Sequence, residues 1–194
     1  MDPADLVVLA IVAGLVLFLL WAAVTYNKLV RLRNRADALW ADIDVQLKKR
    51  HDLVGNLVEV VRGYATHERT TFDEVTEARA AATSAETPDD KTRAENALSG
   101  ALGRLMATAE AYPDLKAEDR FQGLHEELIQ LENAIAYARQ AYNLTVQAYN
   151  NAVQTVPTSI VAWLMSFAPR DFLAAPAGET DVPSVRLGAA LSSS

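Results

Sequence analysis

The sequence predicts an all-α fold: an N-terminal transmembrane helix that continues into a long-helix antiparallel bundle of coiled-coil-like character, closed by a short C-terminal apolar helix and an irregular tail. Three observations carry that expectation. An uncharged apolar run fills residues 6–24, apolar residues then recur at three- and four-residue spacing along most of the chain, and 34 alanines stand against 8 glycines and 7 prolines. Alanine is the best helix former, while Val, Ile and Thr are too scattered here to build strands. At 194 residues the chain has room for one domain plus an appendage.

The run LVVLAIVAGLVLFLLWAAV, Leu6 to Val24, holds nineteen residues without a charge. At about 1.5 Å per residue it is long enough to cross a bilayer core of about 30 Å. A secretory signal peptide would open on a positive stretch and close on a small-residue cleavage site, whereas residues 1–5 read MDPAD and the apolar run exceeds the usual signal core. Trp21 and Tyr26 stand at the far end, at the level where amphipathic rings favour the headgroups. Orientation follows from the flanks. Asp2 and Asp5 precede the span, and Lys28, Arg31, Arg33 and Arg35 follow it. The basic flank stays in the cytoplasm, which places residues 1–5 outside and the rest inside the inner (cytoplasmic) membrane as a single-pass protein. The same four cations are expected to hold anionic lipid headgroups.

Beyond the span, Leu29, Leu32, Ala36, Leu39, Ile43, Leu47, Val54, Leu57, Val61 and Tyr64 form one helical stripe, broken once across Arg50. The pattern continues through Phe72 and Val75 to Ala82, so a near-continuous helix over 27–84 is expected, with Gly55 and Gly63 as its weak points. Residues 84–90 (SAETPDD) mark a turn, with Thr87 or Asp89 capping and Pro88 in the first turn of a helix over 89–111. Tyr112-Pro113 ends it. A third helix, 117–154, carries Phe121, Leu124, Leu128, Leu131, Ile135, Ala138, Tyr142, Val146, Tyr149 and Val153 on one stripe. Pro157 precedes a short apolar helix over 159–167, and the Ala/Pro/Gly/Ser-rich tail 174–194 is expected to be irregular. The bundle therefore covers 26–173. Because the first soluble helix is far longer than its partners, Leu39, Ile43 and Leu47 are expected to lack cover from their own chain and to meet another protomer.

Composition excludes several chemistries. With no cysteine there is no disulfide, thiolate zinc site or cysteine nucleophile. The net charge of −7 argues against a nucleic-acid partner, although residues 28–51 carry a local +4. Lys48, Tyr64 and Gln122 stand three residues before the three histidines, so the Glu-x-x-His pairs of carboxylate-bridged metal bundles are absent, as is His-Glu-x-x-His. Gly100 and Gly103 lie on a helical stripe without the Lys-Ser/Thr of a phosphate loop, and Ser192 to Ser194 have nothing to orient them. No catalytic, cofactor-binding or metal residues are expected, and no enzyme. The polar residues Asp42, Asp44, His51, Asn56, Glu59, Glu132, Asn133, Arg139 and Asn143 read as solvated faces with some interhelical hydrogen bonds, ahead of a ligand site. Arg50 interrupts the apolar stripe and calls for a carboxylate opposite it. Tyr137, Tyr142 and Tyr149 read as core aromatics with their hydroxyls at the rim.

Residues 26–34 (YNKLVRLRN), 40–53 (WADIDVQLKKRHDL), 56–59 (NLVE) and 63–68 (GYATHE) resemble the bacterial LemA family. Residues 109–116 (AEAYPDLK), 128–133 (LIQLEN), 136–139 (AYAR), 142–143 (YN) and 167–172 (FAPRDF) extend the resemblance in order. Gly55, where proline is usual, and Ala168, where a basic residue is common, depart from it. The resemblance implies a membrane helix, a helical bundle and no established enzymatic activity. Through a relative implicated in forming magnetosome membranes, it also implies a part in shaping or organising membrane. The leading expectation is a membrane-anchored scaffold that forms homo-oligomers through its long helices. The alternative is an adaptor for another membrane protein, such as a protease or secretion component. In the segment Ile160–Phe167, Trp163, Leu164, Met165 and Phe167, with Phe172 as a second anchor, form either a cap on their own bundle or a contact with a neighbouring protomer or the bilayer surface.

Overall fold

The computed structural model describes residues 2–65 and 67–173, among which every regular element is a helix and none is a strand. Six helices follow in order: α1 Pro3–Tyr64, α2 Arg69–Ser84, α3 Pro88–Glu110, α4 Pro113–Lys116, α5 Asp119–Gln154 and α6 Thr158–Leu164. The tail over 174–194 lies outside the described residues.

The helix expected to run to residue 84 ends instead at Tyr64. Ala65 N–H donates to Val61 O at 3.0 Å and Glu68 N–H to Ala65 O at 3.2 Å, and α2 then folds back on the end of α1. The cause is burial. A straight continuation would leave Phe72, Val75 and Ala82 in water, whereas the turn packs them with Leu57 and Val61. Thr87 caps α3, its hydroxyl oxygen accepting from Asp90 N–H at 3.1 Å, with Pro88 at the first helical position.

The early end of α1 also removes the length mismatch. Beyond the span, α1 is nearly matched by the 36 residues of α5, which runs antiparallel along it. Three cores follow that seam. The distal core joins Leu53–Val61 to α2, α3, Leu115 of α4 and the start of α5. The middle core packs Ala36, Ile43 and Leu47 on Ile135, Ala138, Tyr142 and Val146, and the proximal core packs Leu29 on Tyr149, Val153, Ala162 and Phe167. Ile43 and Leu47 are thus buried by their own chain, with Leu39 half-buried beside them. The expectation of an external partner does not hold for Ile43 and Leu47, because α5 covers them, while Leu39 is covered in part.

Residues 165–173 leave α6 and return along α5 as an extended strap. Asn150 pairs its side-chain amide with the backbone of Arg170, and Asn143 does the same with Leu173, all four bonds being 2.8–2.9 Å. The geometry is commensurate. Seven helical residues rise about 10.5 Å and three extended residues about 10 Å, so asparagines seven apart can hold chain positions three apart. Tyr149 and Tyr142 hydroxyls add donors to Ala168 O and Asp171 O at 3.0 and 3.3 Å.

Candidate functional site

Two places gather the polar and apolar residues singled out by the sequence, one in the interior and one at the membrane end.

In the interior, Arg50 has the carboxylate that its position demands. Its guanidinium meets Glu95 of α3 at 2.6 Å, Glu132 of α5 at 2.7 Å and the Ser99 hydroxyl at 2.7 Å. His51 Nε2 lies 2.7 Å from the second Glu95 oxygen, and Arg79 of α2 donates to the His51 carbonyl at 2.6 Å. Arg50 and Glu95 are 2% and 1% exposed, so this is an ion pair inside the bundle that ties four helices together. Glu95 is the member the sequence reading missed, since it lies at a position that reads as an ordinary polar one. Its signal is its place on the α3 stripe, three residues before the buried Leu98. Gly55 has a structural reason as well: a Cβ there would stand 3.2 Å from the Arg79 guanidinium carbon.

A cavity of about 320 Å³ lies beside His51, lined by Asp44, Lys48, Asp52, Arg79 and Lys91 among others. Its charges are of both signs, and Lys91 is already paired with Asp44 at 2.5 Å. Among the described residues no three His, Asp or Glu side chains converge as a metal site requires. Asp42, Asn56, Glu59 and Asn133 are exposed, Glu132 serves Arg50, and Asn143 holds the strap. Tyr142 and Tyr149 are buried, and burial pushes both phenols above their ordinary range, which keeps them as neutral donors to the strap. Tyr137 is 78% exposed and is not a core aromatic. Its neighbours on the α5 stripe set the inward face one residue further on, at Ala138.

At the membrane end, the apolar side chains from Leu6 to Leu20 stand free of the bundle, as a bilayer span would. Cover begins at Trp21, which is half-buried and whose ring lies 5.8 Å from Phe18. Thr25 is buried, and Tyr26 meets the Phe167 ring edge-on at 5.7 Å. Lys28, Arg31, Arg33 and Arg35 are exposed around this collar, with the Arg33 guanidinium 5.3 Å above Phe167. Phe167 is therefore core of its own chain, correcting its place among the external contacts. Trp163, Leu164, Met165 and Phe172 are all more than half exposed.

The sequence is similar to several known proteins. A family model described as the LemA family matches residues 39–187. The magnetosome protein MamQ of Magnetospirillum gryphiswaldense is 25% identical across 93% of this chain and 76% of its own length. The magnetosome protein MamQ 2 of Paramagnetospirillum magneticum is 24% identical across 95% and 78%. Protein LemA of Metamycoplasma hominis is 25% identical across 70% of this chain and 63% of its own.

Proposed function

The chain belongs to the LemA family, and from that premise we propose that it is a single-pass, membrane-anchored structural protein that self-assembles through its long helices and organises membrane from the cytoplasmic face. The role is non-enzymatic: relatives named as magnetosome proteins support work on a membrane rather than on a small substrate.

The observation that carries self-assembly is a stripe on the outer face of α5. Ile129, Tyr137 and Leu144 are 49%, 78% and 59% exposed, and their spacing keeps them within about 80° of one another around the helix. Scattered surface apolar residues are ordinary, but three in register on the outside of a long helix form a seam. Burying each side chain is worth roughly 1.5–3 kcal/mol, so a few such contacts per copy offset an association cost of about 4–15 kcal/mol when repeated around a closed assembly. Tyr137→Asp with Leu144→Asp in the full-length protein tests the seam. Smaller particles in mild detergent, with helical melting retained, are expected; unchanged particle size would remove α5 as the assembly surface.

The cytoplasmic orientation is supported by Lys28, Arg31, Arg33 and Arg35, which remain exposed just beyond the span and can meet anionic headgroups. Because the chain has no cysteine, Ala85→Cys is a clean reporter. A thiol reagent that cannot cross membranes should leave it unlabelled in intact cells. Labelling there would reverse the orientation and leave the span standing.

A further inference from the structure

From Gln140 to Pro169 the chain has no charged residue. This stretch includes the membrane end of α5, the connection through Val156 and Pro157, all of α6 and the turn to Phe167. Between Val156 and Met165 its apolar residues divide into two sets. Val161 and Ala162 are buried against the bundle, while Val156, Ile160, Trp163, Leu164 and Met165 are exposed, Trp163 most of all at 82%. An exposed tryptophan in an uncharged apolar segment calls for a surrounding that is neither bulk water nor the protein's own core.

The structure also sets the height of this segment along α1. Ala162 and Phe167 share a core with Leu29, and the Phe167 ring touches Tyr26. Tyr26 and Leu29 lie two and five residues after Val24, the last residue of the apolar run. At about 1.5 Å per residue they stand roughly 3–8 Å beyond the end of the span. The polar layer on each side of a bilayer is about 5–8 Å thick, so α6 is held at headgroup level. Tryptophan favours that level, and the cations Lys28, Arg31 and Arg35 stand around and beyond it, where lipid phosphates lie.

We propose that α6 is a second membrane contact: Val156, Ile160, Trp163, Leu164 and Met165 seat in the headgroup–acyl boundary of the leaflet from which α1 emerges. The occupant of this face is lipid, argued from its continuity with the end of the span, its lack of charge and the basic collar around it. A single spanning helix leaves the bundle free to rotate about its axis and to tilt. A second contact beside it fixes which face of α5 turns along the membrane plane. The proposal rests on α1 spanning the bilayer and is independent of self-assembly.

The three tryptophans make it testable in the full chain. Trp21→Phe with Trp40→Phe leaves Trp163 as the only tryptophan, and Trp40→Phe with Trp163→Phe leaves Trp21. Both proteins are reconstituted at low density into phosphatidylcholine vesicles containing phosphatidylglycerol, with lipid brominated near the carboxyl end of its acyl chains. Bromine should quench Trp163 to an extent comparable with Trp21. Quenching of Trp21 without Trp163 would overturn the lipid contact, whether Trp163 then emits at long wavelength as in water or at short wavelength against a second copy of the chain. If neither is quenched, the span and the second contact fall together.

Discussion

At the distal end, α1 is enclosed by α2, α3, α4 and α5, and Val54, Leu57 and Val61 reach zero exposure around the Arg50–Glu95 pair. At the proximal end, α5, α6 and the strap from Phe167 cover it more thinly, and Val156, Ile160, Trp163, Leu164 and Met165 face outward. One continuous helix thus runs from an interior that buries even its charges to a region that exposes even its tryptophan. The distal set excludes water by intramolecular packing, while the proximal set faces outward. With the proposed membrane contact, hydrophobic residues on this chain serve two solvents.

Breaking the distal interior should have the largest effect. Arg50→Ala leaves Glu95 buried with only His51 facing it, and removing one member of a buried pair costs about 3–5 kcal/mol. Chemical or thermal unfolding of the extracted protein should show that loss. Replacing Arg50 by Met and Glu95 by Leu together should recover most of it, since the pair confers register more than stability. Equal loss in the single and double variants would mean that packing volume, and not the unpaired charge, dominates the site. Leu57→Ala, in the same interior, should cost about 2–5 kcal/mol through the cavity it leaves.

The strap between the two ends should respond less. Asn150→Ala removes the bonds to both backbone groups of Arg170, worth about 1–3 kcal/mol together at the usual net value per bond. Hydrogen exchange should rise at Arg170 while the amides of Leu57 and Leu98 stay protected. Uniform deprotection would show that strap and distal core unfold as one unit. At the proximal end, Trp163→Ser should change folding stability by no more than about 0.5 kcal/mol, as for other exposed positions. A large loss there would make Trp163 part of the fold and erase the contrast between the two ends.

A local, pH-dependent effect belongs to the α3 cap. The Thr87 hydroxyl, then Arg93, hold the Asp90 carboxyl below its ordinary value of 3.8. The folded chain therefore takes up that proton less readily than the unfolded chain. The stabilisation from Asp90 is complete above about pH 3.8 and is lost as pH falls through the lower folded value. Thr87→Ala should cost about 1 kcal/mol at neutral pH and flatten that acid response. An unchanged acid response in Thr87→Ala would assign it to other carboxylates.

What the sequence makes legible follows from periodicity and from single residues out of pattern. The span, the stripes of α3 and α5, the Thr87–Pro88 start and the need for a carboxylate at Arg50 are all local signals. The turn after Tyr64 is not, because Phe72 and Val75 keep the helical period across it and only tertiary burial decides that they fold back. The cover over Ile43 and Leu47 depends on that turn, so the external partner expected for them fails with it. The strap is a different case. The pairs Tyr142-Asn143 and Tyr149-Asn150 repeat at seven residues and place two amides on one line of α5, a pattern visible in the sequence once an extended partner is considered. The exposure of Tyr137 is likewise recoverable, since the buried Ile135, Ala138 and Tyr142 put residue 137 off their face.

The central claim is that the outward apolar surfaces are completed by other copies and by lipid, and the mass of the full-length protein extracted in mild detergent tests it most directly. The account predicts a discrete multi-copy particle that persists on dilution and shrinks when Tyr137 and Leu144 are both changed to Asp. A particle containing one chain at every concentration would contradict self-assembly and would leave the α5 stripe as a docking face for another membrane protein.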